Sequence, residues 1–304
     1  MRLTAKLTRC LGLDPGVAGD GLVVDPDAGS YALARAVNVD IGPKGAVSRR
    51  TGFARIREGA FHSLWSSGRE AFAVTGGALA AVGADGSAVP LRTGLTPDAP
   101  MSYAFTAGRT FFANGFEKGI IRDGICEDWG GRPYPGPDAA GVMGDPPAGR
   151  FLAAYAGRIF IAREHMVHFT GAAGLFHWAD RQAGHLAPFD AEVRMLGAVR
   201  DGLYVGTGRG VVFLRGTSPS EFILREVCRT PPVAGAFTLL RGDAPAAVAG
   251  TALDGPALVF AGEDGLYLGK SGGAVTRLKA VPGMGGSRGC ALAGDNAFLA
   301  LIEP

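Results

Sequence analysis

The stretch Val199–Arg215, VRDGLYVGTGRGVVFLR, limits the folds open to this chain more than any other. Leu203-Tyr204-Val205 and Val211-Val212-Phe213-Leu214 are rich in β-branched and aromatic residues. Between them, Gly206-Thr207-Gly208-Arg209-Gly210 supplies the positive φ of a tight reversal, so the stretch is a β-hairpin. Both runs are apolar throughout and do not alternate, which predicts strands covered on two faces. A buried helix needs a longer run without glycine punctuation.

The same grammar, a loop with Gly and then an apolar strand, recurs along the chain. Gly68 precedes Ala71-Phe72-Ala73-Val74, Gly108 precedes Phe111-Phe112-Ala113, and Gly157 precedes Ile159-Phe160-Ile161-Ala162. Gly255 precedes Ala257-Leu258-Val259-Phe260, and Gly294 precedes Phe298-Leu299-Ala300-Leu301. With Gly202 of the central hairpin, the anchors lie 40, 49, 45, 53 and 39 residues apart, the period of propeller blades. Glycine is abundant, 49 of 304 residues, so the apolar run after each anchor carries more weight than the anchor itself. Second turns follow at Ala84-Asp85-Gly86, Asp123-Gly124 and Gly262–Gly265. The expected fold is all-β, a β-propeller of about six four-stranded blades, with a sandwich or barrel pair as the alternative.

Residues 1–30 carry Arg2, Lys6 and Arg9 and then Gly/Asp/Pro-rich sequence, which predicts an arm or long loop. Residues 31–304 are expected to form one propeller domain, with 130–149 as an irregular Pro/Gly-rich insertion on a binding face. Val37, Val39 and Ile41 alternate with polar residues, turn at Gly42–Gly45 and return through Val47 to Arg50, a hairpin that belongs to none of the central copies. The last repeat has room for about two strands. The N-terminal hairpin is therefore expected to complete the last blade and close the ring, which removes exposed edges.

Thirty basic and 28 acidic residues leave a formal charge of +2, too balanced to argue for nucleic acid or membrane affinity from charge alone. Cys10, Cys126, Cys228 and Cys290 are far apart and form no CxxC pair, the pattern of free thiols in a reducing cytoplasm. The first residues lack the apolar core of a signal peptide, and no run reaches the ~18 apolar residues of a membrane span.

No catalytic residue, metal ligand or cofactor is assigned. His165, His168, His177 and His185 cluster in sequence, but no HExxH or equivalent motif surrounds them. Asp180, Asp190 and Glu192 are the carboxylates nearest to a glycosidase pair, and they are expected to be turn residues accepting N–H bonds. Gly206–Gly210 is not a phosphate loop, because a strand and not a helix follows it. The densest basic cluster is Lys44, Arg49, Arg50, Arg55 and Arg57, either a charge-guarded edge strand or a surface facing DNA or an acidic partner.

Two stretches carry a family resemblance. Asn38-Val39-Asp40-Ile41 with Gly45–Phe53 resembles an opening found in virion structural proteins of tailed bacteriophages. Leu203–Gly216, followed by Thr217-Ser218-Pro219 and Phe222, is similar to a blade of the same proteins, which form propeller-bearing tail nozzle or DNA-stabilising tail components. The resemblance implies a non-enzymatic protein of the phage tail or neck, made in the bacterial cytoplasm. It would assemble as a symmetric ring, a hexamer or similar, beside other tail proteins and near packaged DNA. The alternatives are a host-surface or carbohydrate-binding propeller and a propeller glycoside hydrolase.

Overall fold

The computed structural model describes residues 8–13, 23–25, 27–42, 44–50, 52, 54–135, 143–180, 188–240, 253–281, 283–293 and 298–303. The chain divides into two compact units, Met1–Ile56 and Arg57–Pro304. Residues 31–56, which the sequence grouped with the propeller, thus fall with the N-terminal stretch.

Among its described residues the first unit holds five short strands: β1 (Arg9–Leu13), β2 (Val23–Asp25), β3 (Ser30–Leu33), β4 (Val39–Ile41) and β5 (Val47–Arg49). β3 lies between a parallel β1 and an antiparallel β2, so part of the expected arm is sheet. Cys10 is buried there and its N–H donates to Gly45 O at 2.9 Å. β4 and β5 form the expected hairpin, a two-stranded antiparallel sheet of their own.

The second unit is a series of antiparallel meanders. The first has β6 (Phe61–Ser66), β7 (Ala71–Thr75), β8 (Ala78–Val82) and β9 (Ala88–Arg92). The second has β10 (Ser102–Thr106), β11 (Arg109–Ala113), β12 (Lys118–Arg122) and β13 (Ile125–Glu127). A two-residue strand β14 (Met143–Gly144) precedes the third, which has three strands, β15 (Phe151–Tyr155), β16 (Arg158–Arg163) and β17 (Met166–Phe169). β14 pairs instead with β18 (Ala179–Asp180). The fourth meander is β19 (Val193–Val199), β20 (Gly202–Thr207), β21 (Gly210–Arg215) and β22 (Ile223–Cys228). The fifth is β23 (Pro232–Leu240), β24 (Ala257–Gly262), β25 (Gly265–Gly269) and β26 (Val275–Ala280). β27 (Arg288–Ala293) and β28 (Phe298–Glu303) make a two-stranded sheet.

Gly68, Gly108 and Gly157 lie in the turns between the first and second strands of their sheets, Gly202 begins β20, and Gly255 lies just before β24; Gly294 lies outside the described residues. Of the second turns, 83–87 and 123–124 join third and fourth strands, but Gly262–Gly265 joins the second and third. The first strands lie side by side in order, β10 by β15, β15 by β19, β19 by β23 and β23 by β27. In such a meander the turns after strands one and three share one margin, the turn end. The turn after strand two and the crossing to the next sheet share the other, the entry end.

The second strands bear the core. Every residue of β20 and of β24 is buried, as two-sided packing requires. Phe111, Ile159 and Ile161 join Trp129 and Phe176 in one cluster, and Phe151, Phe160, Leu203 and Leu214 share the next. Met195, Tyr204, Leu258 and Phe260 continue the series. Phenols tie neighbours at the turn end: Tyr155 Oη donates to Gly216 O at 2.7 Å, and Tyr204 Oη reaches Lys270 O and Ala274 O.

Close packing requires glycine at position 202, the first residue of β20. A Cβ there would stand 2.6 Å from Leu214 O and strike the Phe213 ring. Gly202→Ala is expected to cost about 1–3 kcal/mol through overpacking, read as a lower urea midpoint at unchanged m.

Candidate functional site

A cleft of about 430 Å3 opens at the entry end of the second meander, beside the 130–149 insertion. Arg92, Phe116, Glu117, Lys118, Asp128 and Asp145 line it, with Trp129, Gly130 and Gly131. Its charged groups hold the chain in shape. Arg92 Nη1 donates to Lys118 O at 2.9 Å and lies 3.8 Å from Asp128. Lys118 Nζ donates to Pro146 O; burial lowers its pKa, and Asp145 pushes it the other way. Burial alone would raise the Glu117 pKa, but Thr96 N–H and Oγ1 and Asn114 Nδ2 all donate to its carboxylate and leave it lowered. Gly131 N–H donates to Asp145 Oδ1 at 2.7 Å. Phe116 stands at the rim, 69% exposed.

Trp129 and His177 pin the insertion to the segment after β17. Trp129 is buried, packs edge-on to Phe111 at 5.1 Å, and donates from Nε1 to Phe176 O at 2.6 Å. Trp178 Nε1 donates to Arg132 O at 2.7 Å and its ring meets Tyr134. His177 is buried, with its Nδ1 at 3.5 Å from Gly130 N–H. Burial lowers its pKa, and Arg132 and Arg109 lower it further.

The other candidates are dispersed. His165 is exposed in the turn after β16, and His168 is half-buried in β17 opposite Ile161. His185 lies outside the described residues, among which no group of three metal-binding side chains occurs. Glu192 pairs with Arg150 at 2.8 Å, Asp190 is exposed, and Asp180 pairs through its backbone with Met143 in the β14–β18 ladder.

The basic cluster is contiguous in sequence but divided between the units. Lys44 lies in the β4–β5 turn, Arg49 ends β5, and Arg50 Nε meets Asp40 Oδ1 at 2.9 Å. Arg55 belongs to the first unit and Arg57 to the second, where its Nη1 donates to Gly86 O at 3.1 Å. All five are exposed. Sequence reasoning missed the cleft. Lys118, Asp128 and Asp145 meet only through the meander and the insertion, and only the length of the insertion pointed there.

No family model matches the chain, and no curated protein matches it. Solved structures are similar at low identity. One is apo AztD from Citrobacter koseri, at TM-score 0.48 and 15% identity over 84% of this chain and 82% of that one. Another is a gluconolactonase from Xanthomonas campestris, at 0.46 and 15% over 81% and 86%. A third is the extracellular domain of BT4673 from B. thetaiotaomicron, at 0.43 and 14%; the match covers 74% of this chain but 28% of that chain. Likenesses this distant assign no activity.

The pinned insertion is expected to loosen in acid. An imidazole whose folded pKa lies below its unfolded 6.5 leaves stability intact above 6.5 and removes it as pH falls through that value toward the folded one. His62, lowered mainly by burial against the raising effect of Asp98, acts in the same direction. Urea unfolding followed by tryptophan fluorescence should show lower stability at about pH 5.5 than at 7.5. His177→Gln should reduce that difference.

Proposed function

We propose that this protein is a non-enzymatic structural component of a phage particle, in the tail or neck, acting by assembly into a symmetric ring. The observation that carries this reading is the placement of the two resembling stretches. Asn38–Arg50 forms the β4–β5 hairpin, and Leu203–Gly216 forms the β20–β21 hairpin, most of whose residues are buried. Thr51 and Phe53 of the first stretch lie outside the described residues. The resemblance therefore falls on scaffold, as a protein acting by shape requires. The exposed Lys44, Arg49, Arg50, Arg55 and Arg57 would face a partner or the DNA path.

The fold proposed with this function is a six-bladed propeller closed through its ends. Asp98, in the crossing after the first meander, acts electrostatically both on His62 of β6 and, as the weakest influence, on Arg288 of β27, which supports nearness of the first and last sheets of the second unit. β27–β28 occupies the first two strand places of a blade, and β4–β5 is a hairpin of the two strands needed to complete it.

The second reading, a carbohydrate-binding propeller, has Phe116 in its favour: an exposed aromatic at the mouth of a cleft with Arg92, Asp128 and Asp145. A glycan-array signal lost in Phe116→Ala would move the choice to it.

Two measurements test the main reading. Particles assembled without this protein should show defective tails in electron micrographs, and normal tails would sink the virion assignment. In a closed ring, the β28 amides that β27 does not bond should resist hydrogen exchange as strongly as those of β16. Fast exchange there would defeat the composite blade.

A further inference from the structure

Among the described residues of the second unit, the half-buried arginines are fastened with one exception. Arg92 Nη1 donates to Lys118 O, Arg150 meets Glu192, Arg158 Nη1 donates to Thr170 O, and Arg194 meets Glu263. Arg109, the first residue of β11, is half-buried as well, yet among the described residues its side chain makes neither a hydrogen bond nor an ion pair. A guanidinium cannot give up its charge. Partly withdrawn from water, it calls for an acceptor that the chain itself does not supply.

Strand alternation fixes what lies beside it. Arg109 and Phe111, two residues apart in β11, share a face. Phe111 packs on Trp129 at 5.1 Å and on Phe176 at 5.3 Å. His177 follows Phe176 and receives Gly130 N–H on Nδ1 at 3.5 Å, an acceptor role that leaves the proton of the neutral ring on Nε2 as a donor. Arg132 belongs to the same junction, since its carbonyl takes the Trp178 indole at 2.7 Å.

The charges here reach one another. Burial, then Arg132, then Arg109 lower the His177 pKa, while Glu127 of β13 works in the other direction. Glu127 lies 3.6 Å from Arg132, so one carboxylate faces two guanidinium groups and a net positive charge remains even with His177 neutral. The neighbouring Arg122–Asp123 pair adds no net charge. Arg109, Arg132 and His177 are not among the residues that line the cleft.

We propose that Arg109, His177 and Arg132 form a binding site for a tetrahedral oxyanion, a phosphate or sulfate group. Donors on three separate elements suit a group with three or more acceptor oxygens better than the two of a carboxylate, and the guanidinium fork grips such groups. The bound anion would tie the start of β11 to the insertion and to the loop after β17, and it would hold His177 protonated. A free ion and the backbone phosphates of DNA offer the same chemistry, and the test separates them.

The test titrates the full chain with sulfate, whose charge is constant near neutral pH, at fixed ionic strength with chloride as the balance. Tryptophan fluorescence follows it, since the Trp178 ring lies 5.9 Å from that of His177. Sulfate is expected to saturate one site and to bind about tenfold more tightly at about pH 5.5 than at about 7.5, as His177 gains its proton. Arg109→Gln should weaken binding at least tenfold. Arg109→Lys, which keeps the charge and loses the fork, should fall between. Arg200→Gln, at an exposed arginine in the corresponding turn of the fourth meander, should bind as the unaltered chain does. Sulfate also stabilises proteins generally by exclusion from their surfaces, so a rise in thermal midpoint is read as the difference between the chain and Arg109→Gln. A mixed-sequence DNA duplex that displaces sulfate identifies backbone phosphate as the occupant, and one that does not identifies the free ion. No saturable response, equal binding by Arg109→Gln, equal loss in Arg200→Gln, or binding indifferent to pH overturns the site; unchanged circular dichroism certifies each fold. None of these outcomes depends on whether tails assemble without the protein, so the two readings fail separately.

Discussion

Burial of the second strand of each meander on both faces is the constraint on which the rest of the structure depends. β20 and β24 have no solvent-facing side, so each sheet needs a neighbour in front and behind. At roughly 25 cal/mol per Å2 of apolar surface, residues such as Phe111, Ile159, Tyr204 and Phe260 stabilise the fold only when the next sheet covers them. Stacking propagates that demand along the chain, and it reaches β27–β28 unsatisfied, with Leu292, Leu299 and Leu301 in solvent. A single repeat could not stand alone for the same reason.

That constraint is also why much of the fold was legible in sequence. A two-sided strand must be apolar at successive positions, and the turn before it must reverse tightly, so the pattern at Gly202–Thr207 returns at Arg109–Ala113, Arg158–Arg163 and Ala257–Gly262. Outer strands left little signal, because β9, β13 and β22 face water and carry mixed residues. The strands within residues 9–25 were illegible for another reason: they are three to five residues long and set in glycine- and proline-rich sequence. The cleft was hidden because Lys118 and Asp145 belong to different stretches, and no local rule joins them.

The third meander shows how a departure from the repeat makes a site. After Phe169 the described residues add no fourth strand to this sheet. The chain folds as a loop whose Phe176 carbonyl takes the Trp129 indole and whose His177 packs against Trp178. These bonds hold one edge of the insertion that lines the cleft.

The two margins of the array also differ in what fastens neighbouring sheets. The entry end uses Arg150–Glu192 and Arg194–Glu263, pairs of partly exposed ions whose attraction dissolved salt screens within about 8 Å at physiological ionic strength. The turn end uses phenol hydroxyls of Tyr155 and Tyr204 on backbone carbonyls, neutral bonds that ionic strength leaves alone. The ionic part of the fastening is thus concentrated at one margin, beside neutral ties such as Leu152 N–H to Ser102 Oγ. Rising salt would weaken the ionic ties of one end by at most about 1 kcal/mol per exposed pair and leave the phenol ties of the other as they are, while the buried core keeps the sheets together.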